Sequence, residues 1–195
     1  MKLSENWLSL MGSVVDEGEI IQDLTGPYLE VSMLGLTVTD FDSDNLILTE
    51  HIPAQHIIEM RKVFLGGDKS AFAHDYWGQI GGNGQLDRAL NELRHKPTSR
   101  KAVVVLGLSE HTSSVPCINA LHFQLRDNVL NLHYFSRGQD LWLKYVPDIL
   151  ALRDLQHLAA DMLEGEIGVG AIAGTISSAH IYVHDLEKVR ALLKK

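Results

Sequence analysis

The sequence predicts an α+β fold: one domain over residues 1–195, with a mixed or mainly antiparallel β-sheet and flanking helices. Three observations lead there. Alternating apolar residues in "INALHFQLRD" and "NVLNLHYFSR" flank Asp127-Asn128, the signature of a hairpin. Apolar residues recur at helical spacing in "PAQHIIEMRKVFL" and "LDRALNELRH". Strand-like and helix-like segments follow one another without regular alternation, which argues against a doubly wound parallel sheet.

In chain order, residues 4–16 read as a short amphipathic helix with Ser4 as its N-cap. "EIIQDLTGPYLEVSMLGLTVTDF" reads as two strands parted by Thr25-Gly26-Pro27. A helix starting at Pro53 stops at Gly66-Gly67, and "DYWGQIGGNGQ" is a glycine-rich loop. The next helix ends at Pro97, and "KAVVVLGL" is a β-branched run expected to be a buried strand. After the hairpin, "DLWLKYVPDILALRDLQHLAADML" is a long apolar helix in which Pro147 predicts a kink or a break. "IGVGAIAGTISSAHIYVHD" is a strand whose glycines predict bulges or close backbone approaches, and "DLEKVRALLK" is a surface helix.

Composition narrows the function. A formal charge of −8 argues against wrapping a nucleic-acid polymer, which needs a basic face, but leaves room for a single nucleotide held by a few local arginines. The single cysteine cannot form an intramolecular disulfide, which points to a reducing compartment. Residues 1–18 show no signal-peptide pattern, and no apolar run is long enough to span a bilayer. The expectation is a cytoplasmic protein, with no membrane and no metal site.

That one cysteine, Cys117, follows Pro116 directly at the start of an alternating strand. A lone cysteine commonly serves as a small buried hydrophobe. A thiol held at a strand's start is also a candidate nucleophile, provided a cation lies near enough to favour the thiolate. Downstream come Arg137, Asp140 and Asp148, at 20, 23 and 31 positions, and then His180-x-Tyr182, whose i, i+2 spacing puts both side chains on one face of a strand.

In this order, Pro-Cys, Arg-x-x-Asp, Pro-x-Ile and His-x-Tyr, the motifs resemble the thymidylate synthase family, which includes the deoxycytidylate hydroxymethylases. The likeness is clearest over residues 97–185. It implies a homodimer that binds a pyrimidine nucleoside monophosphate and 5,10-methylenetetrahydrofolate. Cys117 would add to C6 of the base, turning C5 into a nucleophile for a one-carbon unit. Arg137 would touch the cysteine and the phosphate, with Gly138 beside it where the family carries serine. Arg100 and Lys101 match a basic pair that reaches the partner subunit's phosphate, and a solvated turn is the plain alternative. His180 and Tyr182 match the pair on the sugar hydroxyl. Asp140 matches a folate contact, although "DLWL" also suits a helix N-cap. Glu59 falls where the family keeps a catalytic glutamate, with a gap to Asp68 one residue longer than usual; a surface-helix carboxylate is the close alternative.

Asp148 bears on the base. The common residue there is asparagine, whose amide suits O4 and N3–H of uracil. Aspartate marks the cytidylate hydroxymethylases, since a protonated carboxyl offers a donor to N3 and an acceptor to the amino group of cytosine. The expectation is therefore C5 hydroxymethylation of CMP or dCMP. The alternatives are thymidylate synthesis from dUMP and a non-catalytic nucleotide-binding homologue. Ile118 in place of histidine, "ISSA" in place of Gly-Gly-Asp, an arginine-free "LTGPYLEV" and the ending "ALLKK" depart from the family pattern.

Overall fold

The computed structural model describes residues 1–66, 76–107 and 115–194. Helix α1 (Leu3–Glu17) packs Trp7, Leu10, Met11 and Val14 into the core. It starts earlier than expected, and Ser4 is not its cap. Instead Asp42 reaches the helix N-terminus from a distant segment, accepting from Ser4 N (3.0 Å) and Ser4 Oγ (2.5 Å). Strands β1 (Glu19–Ile21) and β2 (Tyr28–Val38) flank the Thr25-Gly26-Pro27 turn as expected. A short helix, α2 (Leu46–His51), was not anticipated, because six residues are too few to show periodicity. Helix α3 (Ala54–Leu65) starts after Pro53 and stops at Gly66, whose φ of 87° is the left-handed end that glycine favours.

The expected glycine-rich loop is partly helical: Gly78–Gly82 form a π-helical turn leading into α4 (Gln85–His95). Strand β3 (Val103–Val105) is not a buried strand. It lies at the sheet edge, with Val103 and Val105 exposed and Val104 buried. Strands β4 (Ile118–Arg126) and β5 (Val129–Ser136) form the predicted hairpin. Its tip, Asp127-Asn128, has φ of 50° and 58°, both left-handed, as a tight hairpin turn with native twist requires.

After the short β6 (Gln139–Asp140), α5 (Tyr145–Asp161) begins two residues before Pro147. The proline therefore neither kinks nor breaks a longer helix. It occupies the first turn, where its missing N–H has no intrahelical partner to lose. Strand β7 (Gly168–Tyr182) is the long central strand, and α6 (Leu186–Leu193) follows it. Gly174 packs where a Cβ would collide with the Tyr134 ring, one of the close approaches its glycines predicted. No helix among the described residues is long and apolar enough to cross a membrane.

Among the described residues seven strands form one mixed sheet in the order β1-β2-β7-β5-β4-β3, with β6 beside β7. Strands β5 and β6 run parallel to β7, and the other pairings are antiparallel. Midway along β2, Met33 takes a left-handed φ of 61°, unusual for a non-glycine residue. Around it the burial alternation inverts. Leu29 is buried before Met33, and Leu36 and Val38 after it. The facing strand inverts likewise, from Ile172 and Ile176 to Ala179 and Ile181. At this end the opposite set, Tyr28 and Glu30 with Ser178, His180 and Tyr182, is left to line a cavity.

Candidate active site

The hairpin explains the 20-residue spacing between the thiol and the arginine. Ile118 pairs with Ser136, so Cys117 and Arg137 meet at the open end of the β4–β5 ladder. Arg137 N donates to Cys117 O (2.9 Å). Its guanidinium donates to Pro116 O (Nε, 3.0 Å) and Val115 O (Nη2, 2.8 Å), clamping the backbone that carries the thiol. Tyr76 holds the other side, where its hydroxyl accepts from Ile118 N (3.1 Å) while its ring stacks on Phe64.

Beyond Arg137 the chain runs through Gly138 into β6, which pairs Asp140 with His180. Asp140 Oδ1 accepts from Trp142 N (3.0 Å) and Leu143 N (3.1 Å) and so caps the turn that follows it; it is not the helix N-cap expected of it, because α5 starts only at Tyr145, with Lys144 at its N-cap. His180 Nδ1 donates to Ser178 O (3.2 Å), and Nε2 has no hydrogen-bond partner among the described residues. The Tyr28 and Tyr182 rings flank it at 5.1 and 5.5 Å. Asp148 enters from the first turn of α5, where Gln139 Nε2 donates to its Oδ2 (2.7 Å).

These groups surround a cavity of about 690 Å³, within the range of small-molecule sites. Cys117, Arg137, Gly138, Asp140, Asp148, His180 and Tyr182 all line it. Three expected residues do not. Glu59 lies on α3 next to the lining residue Met60, and its Oε1 accepts from Gln55 Nε2 (3.0 Å). Arg100 and Lys101 sit exposed on the turn before β3, outside the lining of the cavity. Asp68, used to align Glu59, lies outside the described residues.

The electrostatics depart from simple expectation at the thiol. Burial raises the Cys117 pKa; Arg137 and Lys144 act the other way and do not overcome it. The free protein therefore favours the thiol over the thiolate. Burial also lifts Asp148, to about 7, against the Gln139 hydrogen bond and the Lys144 charge. Asp140 is raised by burial too, opposed by its capping N–H donors and by His180. Lys144 is lowered by burial, while Asp148, Asp140, Cys117 and Glu59 favour its charge.

Among the lining residues that sequence reasoning missed are Tyr28, Glu30, Tyr76, Gln139, Lys144 and Ser178. Three had a usable signal. Tyr28 and Glu30 alternate along a strand as His180 and Tyr182 do, and Lys144 stands one helical turn before Asp148. Gln139 and Tyr76 had none, because only tertiary contacts bring them in. Gln139 is 2% exposed, and its Oε1 has no hydrogen-bond partner among the described residues. Such an acceptor is costly unless something else satisfies it.

With this geometry in place, comparison with known proteins is informative. A family model described as thymidylate synthase matches residues 59–195. A Methanosarcina barkeri protein provisionally named a thymidylate synthase is 26% identical, over 98% of this chain and 92% of its own length. A Methanothermobacter thermautotrophicus protein with the same provisional name is 27% identical, over 99% and 96%. The thymidylate synthase of Mycoplasma genitalium is 25% identical over 61% of this chain and 42% of its own length. The family's chemistry is folate-dependent modification of C5 of a pyrimidine nucleotide. The family match extends over well more than half of the sequence and takes in all the motifs from Cys117 to Tyr182: this chain belongs to the thymidylate synthase family.

Proposed function

We propose that this protein hydroxymethylates C5 of a cytidine monophosphate. The Asp148–Gln139 pair carries the reading. A carboxyl with a pKa near 7 holds a proton at mildly acid to neutral pH. Gln139 Nε2 donates to Oδ2, so the proton belongs on Oδ1, which becomes a donor for N3 of cytosine. Gln139 lines the cavity, and a small turn of its amide would bring Oε1, buried and without a partner among the described residues, to the exocyclic amino group as an acceptor. Uracil would bring O4, an acceptor, against that same oxygen.

In this scheme Cys117 Sγ bonds to C6, and the electron pair of the C5–C6 double bond moves into the ring as C5 becomes nucleophilic. When bound, methylenetetrahydrofolate supplies the one-carbon unit. Asp140 fits it in one respect: Oδ1 is engaged by backbone donors, and the carboxylate still faces the cavity as an acceptor for an N–H edge. After the new C–C bond forms, C5 loses its proton, with Glu59 the family-matched candidate to manage it. The new carbon's bond to the folate nitrogen would break, the nitrogen leaving with a proton, and the oxygen of water would take its place to complete the hydroxymethyl group; the Sγ–C6 bond then breaks to return the thiolate and restore the C5–C6 double bond. Arg137 binds the phosphate. As the bound pyrimidine takes up the cavity, Arg137 and Lys144 are the cations available to favour thiolate formation. Arg100 and Lys101, exposed and outside their own cavity, suit the role of reaching a partner subunit's phosphate in a cytoplasmic homodimer.

A second reading, methylation of dUMP, is favoured by the names of the relatives. Mass spectrometry separates the two. Purified protein is incubated with methylenetetrahydrofolate and CMP, dCMP or dUMP in turn, with C117S alongside. The expected product is a cytidylate heavier by CH2O and absent with C117S. A gain of CH2 on dUMP instead would establish the second reading.

A further inference from the structure

We infer that Glu30 reads the 2′-hydroxyl of the sugar, so that the substrate is a ribonucleotide rather than a 2′-deoxyribonucleotide. This rests on the nucleotide-binding role proposed above for the cavity and on the sugar-hydroxyl role that the family resemblance implies for His180 and Tyr182, both of which line it. Glu30 lies directly across from His180 in the β2–β7 ladder, and both line the cavity. Directly paired side chains stand about 5 Å apart at Cβ. A sugar hydroxyl bound at His180 therefore has its neighbouring ring positions within reach of Glu30, and beside the 3′ carbon of ribose only the 2′ carbon carries a further hydroxyl.

The chemistry matches. An ionised carboxylate only accepts, and a ribose hydroxyl can donate. Ser178 Oγ donates to Glu30 Oε1 from the neighbouring β7 position and so orients the carboxylate. Oε2 has no partner among the described residues, which leaves an acceptor beside the sugar site. A carboxylate bordering a cavity that takes a phosphorylated ligand is otherwise hard to account for, since its charge opposes binding. A specific hydrogen bond offsets that repulsion. Against a 2′-methylene the same oxygen would lose water and gain nothing, and a site built to bond a hydroxyl rejects the analogue that lacks it.

The test is calorimetric titration of CMP and dCMP into wild type, E30A and E30Q. Wild type is expected to bind CMP at least about tenfold more tightly than dCMP. In E30A the ratio should fall to within about threefold, mainly because CMP binds more weakly. E30Q, which keeps size and the Ser178 contact, should fall between them and guards against a folding artefact in E30A. Equal binding of CMP and dCMP by wild type, or a ratio unchanged in both variants, overturns the inference while leaving the cytosine assignment standing. The same titrations with UMP and dUMP separate the two ideas. If uridylates bind and cytidylates do not, the base assignment fails, and a Glu30-dependent preference for UMP over dUMP still supports the sugar inference. If no pyrimidine nucleotide binds, both fall.

Discussion

The two ends of α5 carry the same problem and solve it differently. Near its C-terminal end, Gln156 is fully buried and fully paired. Its Nε2 donates to Leu130 O (2.7 Å) and Ala171 O (3.3 Å), and its Oε1 accepts from Arg153 Nη1 (2.8 Å). Arg153 in turn donates to Gly170 O (2.8 Å) and lies over the Phe41 ring. At the N-terminal end, Gln139 is as deeply buried but only half paired. It donates to Asp148, whose carboxyl burial alone would drive to its neutral form, and its own carbonyl oxygen has no partner among the described residues. A closed network belongs to the fold, because every group in it is satisfied by other parts of the chain. An open one has a cost that a bound group can remove. Burial and residue type are the same in the two places, and the pairing is what distinguishes them.

The contrast is sharpest at Asp148. Asparagine there keeps an acceptor for Gln139 and gains an N–H donor suited to O4 of uracil. D148N should therefore lose preference for cytidylate over uridylate by about 10³-fold, read from competing titrations of the two nucleotides.

The same substitution separates stability from recognition through pH. The native carboxyl, with a pKa near 7, binds more protons than the unfolded one near 3.8. Wild-type stability must then fall as pH rises between those values and level off above them. D148N has no such titration. The excess stability of D148N over wild type, from urea unfolding, should be near zero below pH 4. It should grow to roughly 4 kcal/mol above pH 7. A gap constant across pH would mean that Asp148 is not held neutral by burial.

At the other end of the helix, Q156L strands two carbonyls and an arginine donor, so it should cost about 2–3 kcal/mol in unfolding free energy. Base preference should not move. Q139L should do the reverse: stability within about 1 kcal/mol of wild type, and cytosine preference reduced about tenfold. If Q139L unfolds as readily as Q156L, the two networks are alike and the distinction fails.

Much of this was legible in the chain itself. Asp127-Asn128 between two alternating runs is a local signal, and so is a helix that starts at Pro53 and ends at Gly66. The hairpin alone then dictates that Cys117 and Arg137 meet, because pairing Ile118 with Ser136 leaves them side by side. The i, i+2 spacing of His180 and Tyr182 likewise commits both to one face. Such features depend on backbone conformation over a few residues, and sequence encodes them directly.

Tertiary structure decided the rest, since the forces involved act between residues distant in sequence. Val103 and Val105 look like a buried strand until the sheet order puts β3 at the edge. Pro147 looks like a kink until the helix starts beside it. Ser4 looks like a cap until Asp42 supplies a better one from 38 residues away. Whether a thiol ionises, whether an aspartate keeps its proton and whether a glutamine oxygen lacks a partner are set by desolvation and by long-range neighbours, and neither leaves a trace in local composition. The sequence thus determined which chemical groups the site has, while packing decided their charge and their unmet hydrogen bonds.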